Sequence, residues 1–108
     1  MDAAVKQRAK GLVVSRRVGQ SVRVGQDLVV TLVENNQSRS RVEIELASPS
    51  GQKIIPMAQG CPVVLFEDPM TTMELRGFNG SLAKLAFIAP REILIQRMDQ
   101  GVCQQEES

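Results

Sequence analysis

Arg16 and Arg17 stand side by side at the end of one apolar run, "LVVSRRVG" (12–19), while a comparable run, "VVLFEDP" (63–69), carries Glu67 and Asp68 there. A guanidinium is planar, binds phosphate oxygens bidentately and stacks on bases. Two adjacent carboxylates repel a phosphate backbone instead. The bland alternative for the arginines is a pair of solvated charges that keep an edge strand from aggregating. Other reactive chemistry is sparse. The chain has no His, the commonest general base and transition-metal ligand. It also has no GxSxG, HExxH or GxxxxGK(S/T) pattern. No enzyme, cofactor or metal site is expected. Cys61 and Cys103 lie far apart and form no CxxC pair, so they read as free, inert thiols in a reducing compartment.

Charge is unevenly placed. The net charge is +1, but residues 1–58 hold nine Lys/Arg against five Asp/Glu, and residues 59–108 hold four against seven. A basic coat that would take any polyanion is therefore not expected, and a nucleic acid would have to be held at a local site. No signal peptide is evident and no apolar run approaches the ~20 residues of a membrane helix. The chain reads as soluble and cytoplasmic.

The elements that must position these residues are short and extended. The 108 residues suffice for one modest core, with three Phe, no Trp and no Tyr. Val, Ile and Leu dominate, which favours strands. Strands are expected at 11–15, 17–27 (punctuated by Gly19 and Gly25), 28–33, 41–46, 52–57, 63–66, 71–78, 81–88 and 92–97. "LVVTLV" (28–33) is nearly continuous in its apolar character, whereas "RVEIEL" (41–46) alternates with period two, as a half-buried antiparallel strand does. Pro56 restricts 52–57 to an edge or an end, and "NG" (79–80) signals a tight hairpin. Residues 1–10 read as a flexible arm, 11–98 as one β domain, and 99–108 as a disordered, acidic, Gln-rich tail. "VEIELASP" (42–49) and "AKLAFIAP" (83–90) both close a strand with a small residue and Pro, 41 positions apart. That spacing suggests two tandem, partly degenerate repeats, about 12–57 and 63–97.

"LVVSRRVGQSVRVGQDLVVTLV" (12–33) resembles the start of the carbon storage regulator (CsrA/RsmA) family, small bacterial RNA-binding regulators of translation. "GFNGSLAKLAFIAPREILIQR" (77–97) is similar to that family's end: a Gly-Asn-type turn, a strand, an Ala-Pro corner and a last strand closing on Arg. Together the two stretches span about 43 of the 108 residues. Members are about half this length and form interlocked homodimers, in which the first strand of one subunit and the last strand of the other build each RNA site. The resemblance therefore implies an all-β fold, a small antiparallel barrel or sandwich like a CsrA dimer, with both halves supplied by one chain acting as a monomeric pseudo-dimer.

On this reading the first composite site joins strand 12–17, with Val14, Arg16 and Arg17, to strand 92–97, with Ile95, Gln96 and Arg97. Val14 and Ile95 supply apolar floors for a base, and Ala89 and Pro90 fix the corner. The second site joins 63–68 to 52–57, is disarmed by Glu67 and Asp68, and lacks the family's terminal Arg. The partner implied is an mRNA leader or small regulatory RNA with a GGA-containing loop. Two other readings remain: a protein–protein module or antagonist using the acidic face around Glu67 and Asp68, and a homodimer of single units with a long insertion at 50–75.

Overall fold

The computed structural model describes residues 10–98. The arm read over 1–10 and the tail read over 99–108 lie outside the described residues, except that the backbone of Lys10 opens the first strand. No helix among the described residues is long and apolar enough to cross a membrane.

Nine strands follow in order: β1 (Lys10–Arg16), β2 (Ser21–Val24), β3 (Leu28–Asn36), β4 (Arg41–Ser48), β5 (Gly51–Ala58), β6 (Val63–Glu67), β7 (Met70–Asn79), β8 (Leu82–Ala89) and β9 (Ile95–Met98). A 3-10 turn, Gln37–Arg39, joins β3 to β4. The fold is all-β, as expected. Among the described residues these strands pair antiparallel, in two sheets ordered β1-β8-β7-β6 and β5-β4-β3-β2-β9, and one isolated parallel bridge joins Gln59 to Leu75.

Alternation drives this layering. In β3, Leu28, Val30 and Leu32 are buried, while Val29 and Thr31 are half-buried and Val33 is exposed. The seemingly unbroken apolar run therefore still has an inner and an outer face. In β4, Val42 and Ile44 point inward and Arg41 and Glu43 outward, as their alternation predicts. Phe87, Leu85 and Val14 from the four-stranded sheet meet Val22, Leu32 and Ile44 from the five-stranded one in a single core. At about 25 cal/mol per Å² of apolar surface, that shared interior is the main force holding the sheets together.

Three local expectations change. β3 continues through Asn36 rather than ending at Val33. The last strand starts at Ile95, because the Ile93 N–H donates to the Pro90 carbonyl (3.0 Å) and holds 90–93 as a turn. The β7–β8 hairpin has Gly80 and Ser81 as its two-residue loop, with Gly80 at φ 64°. Pro56 sits in β5, an edge strand opposite Glu43, where its missing N–H costs no ladder bond.

The two sheets share one pairing scheme. Lys10 faces Ala89 and Arg16 faces Ala83; Gly51 faces Ser48 and Met57 faces Val42, each 41 residues from its counterpart. A bulge between Leu32 and Glu34 on the β3–β4 pair is matched by one between Leu75 and Gly77 on β7–β8. After β1, the Gln20 N–H donates to the Arg17 carbonyl (2.9 Å) around Gly19 at φ 94°. After β5, the Cys61 N–H donates to the Ala58 carbonyl (3.1 Å) around Gly60 at φ 84°. Both glycines take the left-handed conformation that other residues adopt only with strain. The Gly19 N–H then bonds the Leu32 carbonyl (2.8 Å), and the Gly60 N–H the Leu75 carbonyl (3.0 Å).

In pairing terms β1–β4 thus corresponds to β5–β8, and β9 has no counterpart among the described residues. The expected division, 12–57 against 63–97, is displaced: β5 pairs like β1, and β6 pairs with β7 as β2 pairs with β3. Among the described residues it is a counterpart of β9, not of β2, that the second pairing set lacks.

Candidate nucleic-acid interface

β1 is the edge of one sheet and β9 the edge of the other. They were expected to lie side by side, but they do not pair. β1 is hydrogen-bonded to β8 and β9 to β2, so the two strands flank the seam between the sheets. An open groove of about 320 Å³ lies at that seam, lined by Leu12 of β1, Ile95 of β9 and, from the corner between β8 and β9, Ala89, Pro90 and Arg91. Ile93 and Leu94 complete it, and the Leu94 carbonyl accepts the Gly25 N–H (2.8 Å), which fastens the corner to the end of β2.

The strand pleat sorts the candidate residues. Leu12, Val14 and Arg16 share the inward face of β1. Val14 is only 3% exposed and belongs to the core. It cannot serve as the floor expected of it; Leu12, 37% exposed and two residues earlier on that face, takes the place. Ala89, also 3% exposed, shapes the corner from within. Pro90 and Ile95 are half-buried and line the groove.

On β9, Ile95 lies opposite Val24 and Arg97 opposite Val22. Ile95 and Arg97 therefore share the face turned toward the seam, and Arg97 remains exposed at the sheet's edge. Gln96 lies opposite Arg23 on the outer face, and both are exposed. Gln96 thus points away from the groove.

The adjacent arginines have separate fates. Arg16 is 4% exposed. Its Nη1 donates to the Ser21 carbonyl (3.2 Å) and its Nε to the Ser15 carbonyl (2.8 Å). Because Ser15 and Ser21 belong to different sheets, Arg16 links the two layers beside the groove. The Ser21 hydroxyl is itself bonded to that of Thr31 (2.7 Å). Arg17 is exposed, with its backbone N–H donating to Gln20 Oε1 (3.0 Å) and its carbonyl held in the Gly19 turn. A hydrogen-bonded turn thus holds the backbone of an exposed arginine. Arg91 is exposed and lines the groove.

The cations on offer are Arg17, Arg91 and Arg97, with the exposed carboxylate of Glu92 beside Arg91. Ile93 and Leu94 are missed from the sequence because 92–97 reads as one strand, and Leu12 and Arg91 because only the segment after Pro90 brings them to a groove. The signal available was Pro90, which favours a turn directly after it.

The expected second composite site is corrected in the same way. β5 and β6 belong to different sheets and do not pair, although Lys53 and Val64 line one groove. Glu67 and Asp68 do not correspond to the arginine pair. The residues at the register positions of Arg16 and Arg17 are Met57, which is buried, and Ala58. Cys61 is exposed and free. Comparison with protein families, with curated proteins and with solved structures finds no match to this chain.

Proposed function

We propose that this chain is a cytoplasmic RNA-binding regulator that holds a GGA-containing loop of an mRNA leader or small RNA in the β1–β9 groove, as a monomeric pseudo-dimer. The observation that carries the reading is the meeting of Leu12 and Ile95 in one groove. One strand edge from each sheet borders that groove, with Arg91 in its lining, Arg17 exposed just after β1 and Arg97 exposed on β9. Unstacked bases of single-stranded RNA present edges that backbone N–H and C=O groups of an exposed strand can read. Leu12 and Ile95 offer an apolar surface beneath them.

Guanidinium planes supply phosphate contact and stacking together. This matters because the three Phe, at 66, 78 and 87, are absent from the groove lining. Arg16 acts here as a positioning residue, and Arg17, Arg91 and Arg97 as the contacts. GGA selectivity follows the resemblance of 12–33 and 77–97 to the carbon storage regulators. Binding would occlude a ribosome-binding site or alter RNA decay, with no bond made or broken.

The test is titration of the purified chain with a GGA-loop hairpin, read together with solution mass. One hairpin per monomer is expected, and Arg97→Ala should cost about 1–3 kcal/mol of affinity and lower the salt slope by about one. Two hairpins per dimer, or affinity unchanged by both Arg97→Ala and Arg17→Ala, would defeat the proposal.

A further inference from the structure

The larger of the two seam grooves, about 420 Å³, lies on the opposite side of the pairing scheme. Leu28, Leu46, Val64 and Leu65 form its apolar walls, and the turn from Ser50 to Lys53 forms its rim. In the first half of the molecule the matching place is filled, since β9 lies antiparallel along the outer edge of β2 with Ile95 opposite Val24. β6 stands where β2 does. It follows the Gly60 turn as β2 follows the Gly19 turn, and Val63 faces Met73 as Val22 faces Val30. Yet β6 ends its sheet, and no strand among the described residues lies along its outer edge.

An open strand edge is a row of donors and acceptors ready to pair with another chain, and proteins usually blunt it with Lys or Pro. Val63–Glu67 contains neither. Its bulge after Val64 is the one irregularity, and Val64 is 50% exposed. Glu67 and the adjoining Asp68 are both exposed at the far end.

We infer that the β6 edge is a strand-accepting site for an extended segment of a partner protein. The chain's own β9 supplies the template for that segment. It runs antiparallel to β6 and carries apolar side chains at alternate positions that seat on Leu65, Leu46 and Leu28. A basic residue at its N-terminal end meets Glu67 and Asp68. Main-chain bonds supply affinity in such strand addition, and the alternate pockets and end charges supply selectivity. The carboxylates that disfavour a phosphate backbone here favour a cationic peptide end. This site is separate from the β1–β9 groove and stands whether or not RNA binds there.

The probe is a capped peptide with the sequence of residues 91–98, REILIQRM, titrated into the isotopically labelled full chain. Counted from the Gly60 turn, the β9 register places Ile95 of the peptide beside Leu65 and Glu92 opposite Asp68, with Arg91 one position beyond, so the Glu92→Lys peptide should bind more tightly than the native sequence. Amide shifts are expected at Gly51–Lys53 and Val63–Glu67. The double variant Val64→Lys with Glu67→Lys should weaken binding by about tenfold or more. Its thermal unfolding should stay unchanged, because both side chains are exposed. Three results would overturn the inference. One is the absence of shifts up to about 1 mM peptide. Another is shifts confined to β2 and β9, meaning that the peptide only displaces the chain's own strand. The last is a solution mass that doubles with concentration while the β6 amides broaden, meaning that a second copy covers the edge.

Discussion

Two neighbouring arginines with the same formal charge do different work because the strand pleat and the turn separate them. Arg16 lies on the inward face and is held between layers by the Ser21 carbonyl, while Arg17 sits in the turn and faces solvent. Removing the Arg16 side chain leaves a buried acceptor without that partner, a loss of about 1–3 kcal/mol. Arg16→Ala should therefore lower the urea midpoint, whereas Arg17→Ala should leave it within about 0.5 kcal/mol. Equal destabilisation by the two would refute the division. The sequence identified the pair as unusual. It could not assign the roles, because burial of Arg16 depends on Ser21 arriving from the other sheet.

At the scale of the element, turns carry as much information as strands. Gly19 and Gly60 close equivalent turns at φ 94° and φ 84°, and an added Cβ at either would meet nothing within 4 Å. The cost of Gly19→Ala or Gly60→Ala is therefore conformational, about 1–2 kcal/mol each. Denaturant curves of both variants should show similar losses, and a neutral Gly60→Ala would break the equivalence of the turns. Strand existence was readable from alternation in β4 and from punctuation by Gly, Pro and Asn. Strand partners were not, since alternation states which face is apolar and is silent about which edge lies beside it. The reading of 63–68 as a second first strand failed on that point: "VVLFED" resembles "LVVSRR" locally, but β6 pairs with β7 as one arm of a hairpin.

Over the whole molecule, one core serves both sheets, so neither half has an interior of its own. Phe87 is fully buried among residues from both layers. Phe87→Ala should cost about 3–5 kcal/mol, a large share of the roughly 5–15 kcal/mol typical of a domain. Loss should occur in one transition seen alike by far-UV circular dichroism and by labels on either sheet. Two separated transitions would show that the sheets fold independently.

What residue order alone settles is local. Val, Ile and Leu at alternate positions make strands, turn residues end them, and the lack of His narrows the chemistry. The proposed likeness of residues 12–33 and 77–97 to the carbon storage regulators rests on such short-range signals alone. Which edges meet was decided by folding in three dimensions. Leu12 and Ile95 share a groove, and β6 has an open flank, because antiparallel register passes through intervening strands and the layers must cover one another's apolar faces. No window of neighbouring residues contains that requirement.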